Sequence, residues 1–354
     1  MAEENKNNVY FYIGTYGPQE EEGIHLASLD RESGEMSLLH GVSGIENATF
    51  LNWDELNRVL YAVSEKENSE VVAYTADPET HQLTVLNRKD TDSSGTCHLS
   101  RSGDGKYLFT TGYGDGGVTV LELQENGRLG EIASLIRHSG KGAREDRQSE
   151  AHPHSVFHDP NREFVIVCDL GMDSINLYRL KEGKLVTHRE VIMPPGAGPR
   201  HVTFHPNGKW MYAVNELNNT ITFFAYDSTF GDLKTRQHIS TLPSGVVMED
   251  STAAQLAISP CGRFLYASNR GHDSIVQMNI NPETGMLEAV NWVPSGGKNP
   301  RHFHMVPGGY LLSANQDSNC IVSYQINKET GGLKETGFSL EVPRPVCICP
   351  VEKP

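Results

Sequence analysis

Short apolar, aromatic-rich runs alternate along the chain with small and polar residues, and the pattern repeats. One run recurs seven times: Phe11-Tyr12-Ile13-Gly14-Thr15, Tyr61-Ala62-Val63-Ser64-Glu65, Phe109-Thr110-Thr111-Gly112-Tyr113, Ile166-Val167-Cys168-Asp169-Leu170, Tyr212-Ala213-Val214-Asn215-Glu216, Tyr266-Ala267-Ser268-Asn269-Arg270 and Leu312-Ser313-Ala314-Asn315-Gln316. Its copies begin about 46 to 57 residues apart. A second strand-like run follows each, as at Val118-Thr119-Val120-Leu121 and Ile221-Thr222-Phe223-Phe224, and then a more polar one, often after a Gly-x-Leu turn such as Gly285-Met286-Leu287. Ahead of the main run stands another short run ending in a turn, as in Val202-Thr203-Phe204-His205-Pro206-Asn207-Gly208. These runs are too short and too rich in β-branched and aromatic residues for helices, and none sustains a helical period. Four short strands per repeat predict an all-β fold: a seven-bladed β-propeller with four antiparallel strands per blade, residues 1–354 forming one domain. The C-terminal Val346-Cys347-Ile348-Cys349-Pro350 reads as a first strand without a second, and Val9-Tyr10-Phe11-Tyr12-Ile13 as a second strand without a first. Pairing them completes a blade and removes the exposed edges of an open array.

The repeat also locates the chemistry. In an antiparallel blade the start of the first strand and the end of the second meet at one rim, and the innermost strands line the central channel. Second strands end at Glu65, Tyr113, Glu216, Arg270 and Gln316; first strands begin at His98, His152 and His154, Arg200 and His201, Gln255, and Arg301 and His302. Plain turns favour Gly, Asn and Ser. Arg, His and Glu in their place predict a pocket for an oxygen-rich, anionic molecule. Two longer segments precede first strands near this rim. One, 139–148, carries Lys141, Arg144 and Arg147 and is expected to overhang the mouth; the other is 243–250.

Charge narrows the partners. The net charge of −15 argues against nucleic acid and acidic membranes, and it gives weight to cations gathered at one rim. The N-terminus has no basic start followed by an apolar run, and no stretch is apolar enough for a membrane helix, so a cytoplasmic protein is expected. The six cysteines show neither CxxC nor zinc spacing and read as thiols in a reducing compartment. His152 and His154 share the rim, but His158 and Asp159 fall about 15 Å farther along a strand, and two ligands make a poor metal site. The glycine-rich Gly112–Gly117 opens no helix, and no Gly-x-Ser-x-Gly elbow is present. No metal and no cofactor are expected, and the chain is read as a monomer or homodimer.

Over nearly its whole length the sequence resembles the lactonase family of seven-bladed propellers, which includes a bacterial 6-phosphogluconolactonase and a fungal carboxy-muconate cyclase. The resemblance rests on Gly14-Thr15-Tyr16, Arg147-Gln148 with His152-Pro153-His154-Ser155, Cys168-Asp169-Leu170-Gly171, Gly198-Pro199-Arg200-His201, Val214-Asn215-Glu216-Leu217, Ser268-Asn269-Arg270-Gly271, Asn299-Pro300-Arg301, Ala314-Asn315-Gln316-Asp317 and Pro345-Val346-Cys347. It implies a rim site of a His, an Arg, a Glu and a second Arg, which fall on His154, Arg200, Glu216 and Arg270. It further implies hydrolysis of a sugar lactone, foremost 6-phosphogluconolactone, with Glu216 or His154 as the base on water. Arg200 and Arg270 would stabilise the oxyanion or hold the substrate's anionic group. Arg147, His152, His201, Arg301, His302 and Gln316 are the substrate-binding candidates, with Arg147, Arg301 and His302 as phosphate contacts. Two positions depart from the family pattern: Gly112 before Tyr113, where Asn is usual, and Gln255, where an acidic residue is common. Two alternatives stay open. One is a muconate-type lactonising reaction, in which the same cations hold carboxylates. The other is a non-catalytic propeller that binds protein partners through exposed apolar rim patches.

Overall fold

The computed structural model describes residues 7–246 and 250–352. They form seven four-stranded antiparallel sheets. Blade 1 is assembled from both chain ends: Pro345–Pro350 is its innermost strand and pairs with Asn8–Thr15, placing Tyr12 opposite Cys349 and Ile13 opposite Ile348. Blades 2 to 7 follow in sequence order. Their innermost strands are Leu51–Asp54, Thr96–Arg101, Pro153–His158, Pro199–Phe204, Thr252–Ile258 and Pro300–Val306, and these seven strands touch one another in an unbroken cycle around the channel. The sevenfold repeat and the closure by the termini are therefore as the sequence predicts. Among the described residues the only helical turn is the single 3₁₀ turn Gln316–Ser318, and no helix is long and apolar enough to cross a membrane.

Each blade face packs on its neighbour, so both faces of a middle strand are covered. Val59–Ser64 is buried at every position, which explains why the seven main runs read as nearly continuous apolar stretches. Between blades 5 and 6, for example, Tyr212, Val214 and Phe223 interdigitate with Leu256, Leu265 and Met278. Outer strands such as Leu287–Pro294 mix buried and exposed positions instead.

The aromatic residues of the second strands do a further job. Tyr12, Tyr61, Tyr212, Tyr266 and Tyr310 each donate their phenol hydroxyl across to the next blade, onto the carbonyls of His81, Gly127, Gly285, Gly331 and Glu32, at 2.7 to 3.0 Å. Every acceptor lies in the turn between the third and fourth strands. A buried hydrogen bond contributes about 1 kcal/mol and leaves an expensive orphan if broken, so five of them fix blade against blade. The turn must come close to allow this. Gly285 has φ +77°, and a Cβ there would stand 2.5 Å from Phe223, so only glycine fits.

Six innermost strands break register near the rim, in blades 1, 3, 4, 5, 6 and 7. In blade 5, Pro199 faces Asn215 and His201 faces Val214, which leaves Arg200 as the extra residue of a β-bulge. The same break isolates Cys97 in blade 3, His154 in blade 4 and Arg301 in blade 7. A proline, which lacks the ladder N–H, opens four of these strands, at Pro153, Pro199, Pro300 and Pro345. Bulges re-aim side chains that strict alternation would send to opposite faces.

Candidate active site at the propeller mouth

Glu216 stands directly after the second strand of blade 5, Trp210–Asn215, and is only 3% exposed. Three guanidinium groups converge on its carboxylate. Arg200 Nε donates to Oε2 at 3.0 Å, Arg270 Nη2 lies 2.8 Å from the same oxygen, and Arg147 Nη2 donates to Oε1 at 2.7 Å. Burial alone would raise the Glu216 pKa, but Arg270, Arg200 and Arg147 outweigh it and hold the carboxyl well below the usual range. Segment 139–148 does overhang the mouth, since it delivers Arg147, which also reaches the Tyr113 hydroxyl at 3.4 Å. Of segment 243–250, Val247, Met248 and Glu249 lie outside the described residues.

Arg200 is 3% exposed and is seated from below: its Nη1 donates to the Ala254 carbonyl at 2.7 Å and to His201 Nε2 at 3.3 Å. Burial, then the neighbouring Arg270, pushes the Arg200 guanidinium down to about 9, so it remains a cation at neutral pH. His201 Nδ1 meets Gln255 Oε1 at 2.8 Å, and Gln255 Nε2 meets His302 Nε2 at 3.0 Å. His302 Nδ1 accepts the Ile348 N–H of the closing strand at 3.2 Å. His201 and His302 are thus buried with both ring nitrogens engaged by protein. His201 supports Arg200 directly and His302 joins it through Gln255; the bulge sets this order, because the extra residue of each Pro-Arg-His triplet is the arginine. Phe50 packs its ring 4.1 Å from that of His98 and 6.1 Å from those of His201 and His302, gathering imidazoles of three blades around one aromatic ring.

His154 is buried, and its Nδ1 has no partner among the described residues. Burial first, then Arg200, Arg301 and Arg270, keep its pKa well below the usual 6.5, so the ring is neutral. Its ring lies edge-on to Tyr113 at 5.8 Å and to His201 at 5.4 Å. His152 sits beside it, stacked on Tyr113 at 4.3 Å, with Nδ1 on the Tyr113 carbonyl at 2.6 Å. The farther pair serves the fold: His158 Nδ1 accepts the Gly103 N–H, and Asp159 accepts the N–H groups of Glu163 and Phe164 and the Tyr226 hydroxyl.

A second cluster completes the rim. Arg301 Nη2 donates to the Tyr16 hydroxyl at 3.1 Å, and Tyr16 donates to Glu65 at 2.9 Å. Thr49 donates to the other Glu65 oxygen at 2.6 Å. Burial raises the Tyr16 pKa above its ordinary value, so the phenol keeps its proton. Tyr16 was not among the residues singled out by sequence, yet it follows the second strand of blade 1 just as Glu65 and Glu216 follow theirs. Gln316 holds the same place in blade 7, and its Oε1 is buried without a partner among the described residues, as is Arg270 Nε. Cys97, in the blade 3 bulge, donates Sγ–H to the His154 carbonyl at 3.4 Å; burial pushes its thiol up to about 12, which disqualifies it as a thiolate nucleophile.

The mouth therefore holds four guanidinium groups, of Arg147, Arg200, Arg270 and Arg301, against two carboxylates, of Glu65 and Glu216. Beside them stand a neutral imidazole and unpartnered polar atoms on His154, Arg270 and Gln316. Such a set can bind an anion and stabilise developing negative charge on oxygen.

A family model described as lactonase, 7-bladed beta-propeller, matches residues 10–350. The 6-phosphogluconolactonase of Bacillus subtilis is 34% identical over 339 residues, which cover 95% of this chain and 97% of that protein. The 6-phosphogluconolactonase of Formosa agariphila is 32% identical over 301 residues, 82% of this chain and 84% of that one. The structure of the periplasmic gluconolactonase PpgL of Pseudomonas aeruginosa superposes with a TM-score of 0.91 at 28% identity, covering 98% of this chain and all of the other.

Proposed function

The chain belongs to the lactonase family of seven-bladed β-propellers, and on that footing we propose that it is an enzyme that hydrolyses a sugar lactone, 6-phosphogluconolactone, to 6-phosphogluconate. The observation that carries this reading is the charge of the mouth. A chain of net charge −15 gathers four guanidinium groups against two carboxylates at one mouth, an excess of two positive charges that suits a phosphorylated substrate.

Water adds to the lactone carbonyl carbon while the neutral His154 imidazole takes its proton. The carbonyl oxygen becomes an alkoxide that Arg200 and Arg270 stabilise. The tetrahedral intermediate then collapses. The bond from the carbonyl carbon to the ring oxygen breaks, and the imidazolium returns its proton to that oxygen, leaving a carboxylic acid that ionises. Glu216 is a poor base here: its carboxylate is bonded to three arginines and too acidic to accept a proton. Its work is to hold those arginines together against mutual repulsion. A histidine with a depressed pKa is a weak base when the mouth is empty, but a bound phosphate and a developing alkoxide both raise its proton affinity. Arg147 and Arg301 are the phosphate contacts, with His152 and Gln316 left to the sugar hydroxyls. We place the enzyme in the cytoplasm, because all six cysteines are unpaired thiols that suit a reducing compartment.

A substrate series tests the reading. Lactone opening is followed with the spontaneous rate subtracted, on 6-phosphogluconolactone, glucono-δ-lactone and a muconate-type diacid. The expected order is the phosphorylated lactone first, by about tenfold or more in kcat/KM over the unphosphorylated one, with no cyclisation of the diacid. Opening of neither lactone above the blank refutes it.

A further inference from the structure

The buried row that seats Arg200 has one proton too many. A guanidinium only donates, so His201 Nε2 accepts from Arg200 and His201 must carry its proton on Nδ1, facing Gln255. At the other end the Ile348 N–H points at His302 Nδ1, so His302 must carry its proton on Nε2, also facing Gln255. Two imidazole N–H groups therefore converge on one amide, which offers a single accepting oxygen. With Oε1 toward His201, the amide NH₂ opposes the His302 N–H; turning the amide over only moves the mismatch to His201. Neither ring can relieve it by changing tautomer without setting a donor against Arg200 or Ile348. Burial, followed by Arg200 for His201 and by His304 and Arg200 for His302, keeps both rings from taking a second proton.

A carboxylate at this position would accept from both rings and leave nothing unmatched. It would also place a full negative charge one imidazole away from Arg200 and cancel half of the positive excess at the mouth. Resting on the lactonase reading above, we propose that Gln255 is a specificity-determining positioning residue: its uncharged amide preserves the cationic mouth and so favours phosphorylated over unphosphorylated lactones, with one imidazole N–H left unmatched as the consequence. Gln255 touches no substrate; it acts through His201 on Arg200.

The test uses Gln255→Glu and Gln255→Leu, with kcat and KM measured on 6-phosphogluconolactone and glucono-δ-lactone and spontaneous opening subtracted. Gln255→Glu is expected to lower the preference for the phosphorylated lactone, as a ratio of kcat/KM values, by about tenfold, mainly through a higher KM for that substrate. Its melting temperature should match or exceed that of the wild type, since both imidazole N–H groups now find acceptors. Gln255→Leu, which unseats Arg200 without adding charge, is expected to lower kcat on both lactones by similar factors. An unmoved preference in Gln255→Glu overturns the proposal, as does an equal change of preference in Gln255→Leu. Wild-type protein that opens neither lactone removes the lactonase reading itself, whereas a wild type that opens both with an unmoved ratio removes only the role of Gln255.

Discussion

Glu216→Gln should lower kcat on the lactone by about 10²- to 10³-fold while leaving KM near or below its original value. The two parameters separate because the substitution does opposite things to binding and to geometry. Removing the one negative charge at the centre of Arg147, Arg200 and Arg270 raises the positive excess of the mouth, so an anion is still attracted. The three guanidinium groups, however, lose the carboxylate that holds them within 3.0 Å of common oxygens, and they repel one another. Misplacing charge-stabilising groups by about 1 Å costs on the order of a hundredfold in rate. The same change breaks a buried ion network, at about 3–5 kcal/mol, and should lower Tm by roughly 5–10 °C. Steady-state kinetics with scanning calorimetry on the pair of proteins reads both effects. An unchanged kcat would reduce Glu216 to a brace between blades.

Stability should fall steeply with acid, beginning below about pH 6.5. Four buried imidazoles and the half-buried His304 stand behind this: loss of hydration pushes His98 down to about 3 and His304 down to about 4, and holds His154, His201 and His302 well below the usual 6.5. The sign follows from where the proton goes. Each ring is neutral in the folded protein and takes a proton at its ordinary pKa once unfolded, so the unfolded state binds more protons as pH falls. The stability these groups carry is complete above 6.5 and is lost as pH drops from there toward the folded values. The losses of these groups run in the same direction over the same pH range, so they add. Glu216 adds a later loss: its folded pKa is depressed, so its contribution is present above its ordinary 4.5 and disappears only at lower pH. Melting temperatures measured from pH 7.5 to 4.5 should therefore drop sharply before any carboxylate titrates. A flat profile to pH 4.5 would mean that the imidazoles take up protons in the fold as readily as in the unfolded chain, and that the neutral-base role of His154 is wrong.

Much of this architecture could be read from the chain alone. The main runs recur because every second strand is covered on both faces, and the orphan strands at the two ends can only complete each other. The rim positions of His154, Arg200, Glu216 and Arg270 followed from strand direction, and in the structure Arg200 and Arg270 meet at one oxygen of Glu216. What alternation could not supply was the bulge. A period of two cannot say which of Arg200 and His201 is the extra residue, so the row from Arg200 through His201 and Gln255 to His302 could not be read from the chain. Tyr16 escaped notice for a related reason: its strand mattered first for closing the ring, although its place after Thr15 matches that of Glu65 after Ser64. The hydroxyls of Tyr12, Tyr61, Tyr212, Tyr266 and Tyr310 reach the next blade over 65 to 278 positions, beyond any local pattern.

In this chemistry a neutral histidine draws a proton from water beside fixed cations. Turnover of 6-phosphogluconolactone above its spontaneous opening, compared at pH 7 between the native sequence and His154→Gln, addresses that most directly. The predicted result is a kcat lower by about 10²- to 10⁴-fold with KM little altered, since glutamine keeps the polar volume but cannot take the proton. Equal kcat values for the two proteins would contradict it.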